Sequence, residues 1–148
     1  MHKYPVLAAF WIATSAIAGM QAWTPAFAFA EYDDAISFTF CNMDRQTNCV
    51  VDGDTIYYRG DKIRVADIDA PETHPPRCAD EARLGEAATV RLHALVNAGA
   101  FSLQMIDRDT DVYGRKLRVL TRGGQSLGGV LVAEGLARWY GKGRRSWC

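Results

Sequence analysis

The spacing of apolar side chains changes period several times along the chain. In segment 36–40 apolar residues occupy every second position, which predicts a half-buried β-strand. Segments 55–58 and 62–65 are also strand-like and flank Gly60-Asp61, a dipeptide that favours a hairpin because glycine adopts positive φ at little cost. We therefore predict three strands in the first part of the chain.

Between residues 79 and 98 the apolar positions follow a helical period. One face of this segment carries Leu84, Ala88, Leu92, Leu95 and Val96. Such a stripe predicts an amphipathic helix that packs on a core. Asp80 is suited to cap its start and Gly99 to cap its end.

Strand alternation returns around 101–105 and again around 117–119, and Gly123-Gly124 then turns the chain. Ser126 is placed to cap a short apolar helix that begins at Leu127. The predicted order is three strands, a helix, two strands and a helix. We predict an α+β domain, mainly β, in which a five-stranded OB-fold barrel carries two packed helices.

Residues 1–30 have the layout of a secretory signal peptide. A basic start at Lys3 precedes an uncharged apolar run, and an Ala-x-Ala pattern precedes an acidic segment. We expect cleavage after Ala30, or alternatively after Ala28. An uncleaved membrane anchor is disfavoured because polar residues interrupt the run. Residues 31–148 then form one domain, which is secreted or periplasmic.

The charge balance excludes one class of protein. The chain has 17 basic and 17 acidic residues, so loss of Lys3 with the signal leaves one acid in excess. A protein that coats nucleic acid through a global positive field is therefore excluded, and phosphate binding must come from locally placed cations. We expect a monomer with no stable membrane association after cleavage.

Four cysteines lie in the predicted mature part of the chain. An even number in an exported protein favours disulfides, and three pairings are possible. Cys41 and Cys49 flank a polar turn, which favours that pair and leaves Cys78 with Cys148. Zinc binding is the alternative, but the chain has no Cys-x-x-Cys pair and His74 is the only histidine nearby.

Charged side chains are concentrated among apolar residues between positions 51 and 72. Burying carboxylates in such a segment is costly unless a partner neutralises them. Asp54 and Asp69 are suited to hold a divalent cation, and Glu72 to accept a proton from water activated by that cation. An ordinary hairpin with solvated acids is the alternative.

A third charged motif covers residues 107–115. Its alternating acids do not form an EF-hand loop, because the required glycine and terminal acid are missing from their positions. The motif also predicts a polar hairpin turn with Gly114 at the positive-φ corner. Arg115 follows directly and, like Arg64, offers a forked donor suited to phosphate oxygens. A cation, two arginines and a carboxylate base are the components for attack of water on a phosphodiester.

Five ordered motifs resemble those of the staphylococcal (micrococcal) nuclease family, the thermonucleases. These motifs lie at 51–55, 64–72, 85–87, 111–115 and 135–137. The loop around Cys78 and the C-terminal ending resemble a secreted bacterial branch of the family. The resemblance implies an OB-fold barrel and Ca²⁺-dependent hydrolysis of DNA and RNA, with Mg²⁺ or another divalent ion as the alternative.

The resemblance implies a role for each carboxylate in the motifs at 51–55 and 64–72. Asp54 and Asp69 match the calcium-binding carboxylates of the family. Ala70 occupies the position whose backbone carbonyl binds the ion, where the best-known member has threonine. Glu72 matches the general base. Asp52 is expected to shape the turn or support these residues.

The resemblance also implies how the phosphate is held. Arg64 and Arg115 match the two phosphate-binding arginines, and Tyr113 matches a tyrosine near the bound nucleotide. The expected cleavage breaks the P–O5′ bond and leaves 3′-phosphates. Val112 departs from the family pattern, because a lysine often stands there.

Two other classes of function remain open from the sequence. One is a non-catalytic OB module that binds single strands, a protein or a polysaccharide. The other is an accessory protein of a cell-envelope or exopolysaccharide pathway. The full set of catalytic-type side chains favours the nuclease, since a binding module does not require that set.

Overall fold

The computed structural model describes residues 36–42, 47–143 and 145–148. The predicted signal peptide, with both candidate cleavage sites, lies outside these ranges. Within them the chain forms nine strands and two helices. In chain order these are β1 (Thr39–Phe40), β2 (Cys49–Asp52), β3 (Thr55–Tyr58), β4 (Asp61–Val65), β5 (Ile68–Asp69), α1 (Ala79–Asn97), β6 (Ser102–Thr110), β7 (Lys116–Arg122), β8 (Gln125–Ser126), α2 (Leu127–Ala133) and β9 (Arg138–Trp139).

Seven of the strands form one sheet, in the order β1-β2-β3-β4-β7-β6, with β8 paired to β7. The β2–β3 and β3–β4 pairs are antiparallel, whereas β4 pairs with β7 in parallel. This parallel pair brings residues 63–65 beside residues 116–118. Strands β5 and β9 form a separate antiparallel pair.

The predicted class is confirmed, since the fold is mixed α+β with mostly strands and two helices. The strand count and the closure differ from the prediction. Within the described residues the main sheet has seven strands rather than five, and its pairing leaves it open between β1 and β6. Strands of two residues such as β5 and β8 show no alternation that sequence reasoning can detect.

Helix α1 packs its apolar stripe on the sheet. Its N-cap is Cys78, whose sulfur accepts a hydrogen bond from the Glu81 N–H, so the prediction of Asp80 as the cap was wrong. Asp80 instead lies in the first turn. Gly99 follows the C-cap with φ of 144°, close to the predicted end. The Ser126 cap of α2 is confirmed, because its hydroxyl accepts the Gly129 N–H at 2.9 Å.

The core lies between the main sheet and the two helices. It contains Phe38, Val50, Ile56, Ile63, Val65, Ile68, Leu92, Leu95, Val96, Leu120, Leu127, Leu131 and Ala137. Both hairpin corners have the predicted positive φ, at Gly60 (88°) and Gly114 (76°). In the described part of the chain, neither helix is long and apolar enough to cross a membrane.

The structure contains two disulfides, and they have the pairing that the sequence favours. Cys41 joins Cys49 across eight positions, and Cys78 joins Cys148 across 70 positions. The first links the end of β1 to the start of β2. The second ties the C-terminal residue to the N-cap of α1.

Candidate active site

One open cleft collects every predicted catalytic, metal-binding and substrate-binding residue. Its lining includes Asp54, Arg64, Asp69, Ala70, Glu72, Tyr113 and Arg115. These residues come from the turn between β2 and β3, from β4, from β5 and the loop after it, and from the turn before β7. The parallel pairing of β4 with β7 brings these parts of the chain together.

Asp54 is held in the tight turn between β2 and β3. The Asp52 carboxylate accepts the Asp54 N–H at 3.1 Å, and the Asp54 carbonyl accepts the Val65 N–H at 2.8 Å. A Cβ at Gly53 would lie 2.6 Å from the Cβ of Ala88 and 2.9 Å from that of Ala70. Glycine therefore lets this turn lie directly against α1.

Arg64 lies between the two predicted metal-binding carboxylates. Its Nη2 is 3.2 Å from Asp54 Oδ2 and 3.6 Å from Asp69 Oδ1. Its Nη1 donates to the Val65 carbonyl at 3.0 Å, and the Tyr140 ring covers the guanidinium at 5.2 Å. Only 11% of the side chain is exposed, so this ion pair is weakly screened.

The surroundings of Asp52 disfavour its ionised form. Burial and the charge of Asp54, with a further contribution from Glu72, raise the pKa of Asp52 to about 6, although the hydrogen bond from the Asp54 N–H opposes the rise. A positive charge close to Asp52 and Asp54 would favour their ionised forms.

The donor set fits a hard divalent cation such as Ca²⁺ or Mg²⁺. Asp54 and Asp69 supply carboxylate oxygens that converge on one guanidinium, and Ala70 supplies a backbone carbonyl beside them. Among the described residues, no three His, Cys, Asp or Glu side chains are grouped to hold a metal. Oxygen ligands beyond this set must therefore come from the backbone, water or substrate.

Arg115 is oriented by Asp111 and linked to Asp54 through Thr55. Its Nε lies 2.7 Å from Asp111 Oδ2, and its Nη1 lies 3.4 Å from the Thr55 hydroxyl. That hydroxyl donates to Asp54 Oδ1 at 2.9 Å. Burial alone would raise the pKa of Asp111, but hydrogen bonds from Arg115 and from the Tyr113 N–H outweigh it and lower the pKa.

Glu72 extends into the cleft from a loop that is fastened to α1. Its Oε1 accepts the N–H groups of Thr73 at 3.0 Å and His74 at 3.2 Å. Glu81, fully buried in α1, accepts the Arg77 N–H at 2.6 Å and the Arg77 guanidinium at 2.6 Å. This buried carboxylate therefore fixes the end of the loop that enters α1.

Tyr113 forms an exposed edge of the cleft. Its side chain stands 82% exposed, with the ring 5.5 Å from the Arg115 guanidinium. Tyr140, 57% exposed, covers Arg64 in the same way. Arg64 and Arg115 thus each lie against an accessible tyrosine ring.

Comparison with known proteins identifies the group to which the chain is related. Residues 62–146 match the family model described as staphylococcal nuclease homologue, which covers more than half of the chain. The chain belongs to this family. The family resemblance found in the sequence is thereby confirmed.

Three curated relatives from Bacillus subtilis (strain 168) are similar to more than half of this chain. The chain is 42% identical to the SPbeta prophage-derived endonuclease YokF over 101 residues, which are 65% of this chain and 34% of that protein. It is 40% identical to endonuclease YncB over 93 residues, 60% of this chain and 44% of that protein. Endonuclease YhcR is 36% identical over 102 residues, 62% of this chain and 8% of its own length. The chain spans less than half the length of each of these relatives.

Sequence reasoning missed three residues that position the site in this family member. Glu81 was not singled out because an acid in the first turn of a helix is ordinary. Thr55 and Asp111 were quoted only as parts of motifs, and their contacts with Arg115 depend on the tertiary fold. A glutamate facing the apolar side of α1 is the signal that would have identified Glu81.

The C-terminal tail packs against Arg138, which lines the cleft. Arg138 donates to the Ser146 carbonyl at 3.1 Å, and the Trp147 ring lies 3.5 Å from its guanidinium. The disulfide from Cys148 to Cys78 holds this tail beside the start of α1. Trp147 therefore packs on Arg138.

Proposed function

We propose that this chain is an endonuclease that hydrolyses phosphodiester bonds of DNA and RNA with the help of a divalent cation. The observation that carries the proposal is the convergence of Arg64 and Arg115 with the carboxylates of Asp54, Asp69 and Glu72 in one open cleft. Family membership and the names of the endonuclease relatives support it.

Asp54, Asp69 and the Ala70 carbonyl are the groups that would hold the ion, and we propose Ca²⁺, with Mg²⁺ as the alternative. When bound, the ion supplies positive charge next to the phosphate and promotes ionisation of water. The oxygen donors support this choice because hard cations prefer carboxylate and carbonyl ligands.

The two arginines are proposed to bind the phosphate that is cleaved. Arg64 and Arg115 donate to its nonbridging oxygens, where negative charge grows as water attacks. Arg64 exchanges part of its contact with Asp54 and Asp69 for the phosphate. Arg115 keeps its Nε on Asp111, while its Nη1 exchanges the long contact with the Thr55 hydroxyl for the phosphate.

Glu72 is proposed to take the proton from the attacking water. Its carboxylate is exposed and lies in the cleft, and the loop that carries it is fastened by Glu81. We expect the P–O5′ bond to break and the product to carry a 3′-phosphate. Tyr113 is proposed to contact the nucleotide next to that bond.

The test is a nuclease assay of the purified chain on single-stranded DNA, double-stranded DNA and RNA, with Ca²⁺, Mg²⁺ or a chelator. We expect hydrolysis with the ion and none with the chelator. Glu72→Gln should lose about 10²-fold or more in kcat. Glu86→Gln, on the exposed face of α1, should retain the wild-type rate. Full activity in excess chelator would contradict the metal-dependent mechanism.

A non-catalytic nucleic-acid-binding module is the second candidate. The exposed rings of Tyr113, Trp139 and Tyr140 at the cleft favour it, because aromatic side chains stack on unpaired bases. Binding to single strands without turnover in the same assay would support this candidate. A role in an envelope or exopolysaccharide pathway would require turnover or binding of a polysaccharide instead.

We also propose that the protein acts outside the cytoplasm, as a monomer, after removal of its signal peptide. The two disulfides support this proposal because such bonds persist in oxidising compartments. Expression with the natural leader, followed by N-terminal sequencing of the exported protein, tests the cleavage site. Size-exclusion chromatography with light scattering tests the oligomeric state.

A further inference from the structure

The outer part of strand β6 forms a wall of the cleft that the proposed mechanism does not use. Ile106 and Arg108 both line the cleft. They are two positions apart on one strand, so their side chains leave the same face. Neighbouring Asp107 and Asp109 are not among the cleft-lining residues.

This wall is fixed to the sheet on both sides of Arg108. Strand β6 pairs with β7 at Met105 and again at Thr110, with an irregular stretch between. Arg118 closes that stretch, since its Nη2 lies 2.7 Å from Asp109 Oδ1 and its side chain is only 12% exposed. Arg108 is therefore held at the cleft by its backbone and not by its own side-chain contacts.

Arg108 differs from the other arginines of the cleft in having no hydrogen-bond or ion-pair partner among the residues that the structure describes. Arg64 and Arg115 are paired with carboxylates, and Arg138 is engaged by carbonyls of the tail. The Arg108 guanidinium makes no ion pair or hydrogen bond with any residue of the described part of the chain. Its five donors are therefore available to a ligand that enters the cleft.

The contacts of the cleft arginines indicate which part of a substrate each of them would meet. Arg64 contacts Asp54 directly, and Arg115 reaches Asp54 through Thr55. Among the described residues, Arg108 has no hydrogen bond or ion pair with this network. Since Arg64 and Arg115 already serve the phosphate beside the carboxylates, Arg108 is left for another phosphate of the same strand.

We propose that Arg108 is a positioning residue that binds a neighbouring phosphate of a nucleic acid strand whose scissile phosphate lies at Arg64 and Arg115. The inference rests on the proposed nuclease function. It predicts that Arg108 matters for strands of several nucleotides and not for a substrate with a single phosphodiester. The contact is electrostatic, so it carries no base preference.

The test compares Arg108→Gln, Arg108→Lys and a control, Arg83→Gln, on two substrates. Arg83 is exposed, pairs only with Asp80 and lies outside the cleft. The substrates are a single-stranded DNA of about 12 nucleotides and a dinucleotide with one phosphodiester, because single-strand sites cover several nucleotides. Arg108→Gln should lower kcat/KM for the longer strand about tenfold, mainly through KM, and leave the dinucleotide unchanged. Arg108→Lys should retain most of the activity because one point charge suffices for one phosphate.

A binding measurement separates this inference from the proposed function. Fluorescence anisotropy of a labelled strand is recorded with Glu72→Gln alone and with Glu72→Gln/Arg108→Gln over a range of salt concentrations. Loss of one phosphate contact should reduce the slope of log K against log salt by about 0.7. An unchanged slope, or an equal loss of kcat/KM on both substrates, overturns the role of Arg108. A wild-type chain that binds the strand but cleaves neither substrate overturns the nuclease proposal instead.

Discussion

The close approach of the Gly53 turn to helix α1 predicts that Gly53→Ala damages both the fold and the site. The new Cβ would lie 2.6 Å from the Cβ of Ala88 and 2.9 Å from the Cβ of Ala70. Carbon atoms in contact normally lie about 3.5–4.0 Å apart. The turn must therefore move by about 1 Å, away from the position that holds Asp54 beside Arg64.

The size of the expected effect of Gly53→Ala follows from a loss of stability and from a loss of rate. Overpacking of a tight interior contact costs about 1–3 kcal/mol, and the buried position of Ala88 places Gly53→Ala at the upper end. Displacement of reacting groups by about 1 Å lowers the rate about 10²-fold even when the protein stays folded. The loss of activity should therefore exceed what the unfolded fraction explains.

A double-mutant cycle with Ala88→Gly measures the contact itself. Ala88→Gly alone should cost about 1 kcal/mol through helix propensity, and Ala87→Gly on the exposed face of α1 is the matched control. When Ala88→Gly is combined with Gly53→Ala, it removes the 2.6 Å contact. The two changes should therefore couple favourably by about 1 kcal/mol or more. Urea unfolding followed by tryptophan fluorescence gives the free energies, and the nuclease assay gives kcat.

Two results would refute this reasoning. One is a Gly53→Ala variant whose free energy of unfolding and kcat both match the wild type. The other is strict additivity of Gly53→Ala and Ala88→Gly, which would mean that the destabilisation does not come from this contact. Partial rescue is the expected result, because the contact with Ala70 remains in the double variant.

Three further predictions concern residues that support the site. Hydrogen bonds from the side chain and backbone of Arg77 lower the pKa of Glu81 from 4.5 to about 2, so Glu81 stabilises the fold fully above pH 4.5 and loses this contribution as the pH falls toward 2. Urea unfolding between these pH values should show a flatter pH dependence for Glu81→Gln than for the wild type, and parallel curves would contradict the assignment. Cys148→Ser should lower the free energy of unfolding by about 2–5 kcal/mol without reductant, and equal stability of variant and wild type under those conditions would argue against a stabilising bridge. A Cβ at Gly85 would lie 2.7 Å from the nearest side-chain carbon of the loop that carries Glu72, so Gly85→Ala should lower kcat while circular dichroism stays native; an unchanged kcat would show that the loop tolerates the shift.

The local elements were predictable because each depends on neighbouring residues. The apolar period gave α1, and Gly60 and Gly114 gave the two hairpin corners. The cap of α1 was not predictable in the same way. Asp80 is a better cap by propensity, but the disulfide at Cys78 fixes where the chain enters the helix.

The predicted site residues do meet in one cleft, while their roles in metal binding and catalysis stay predictions. The motifs singled out the side chains that we predict to carry the chemistry, since Asp54, Arg64 and Glu72 are of little use to an ordinary hairpin. The contacts that hold these side chains in place were harder to predict from the sequence. The buried ion pair of Arg77 with Glu81 follows from where the loop lies on α1, and no local pattern encodes that position.

The sequence by itself determined the α+β class, the helix, the hairpins and the charged motifs, because periodicity, turn residues and residue chemistry are local properties. The tertiary structure decided that the main sheet stays open and that Arg115 reaches Thr55 across 60 positions. It also decided that Arg108 lines the cleft without a hydrogen-bond or ion-pair partner in the described part of the chain. These features depend on long-range packing and strand pairing, in which distant residues compete for the same neighbours.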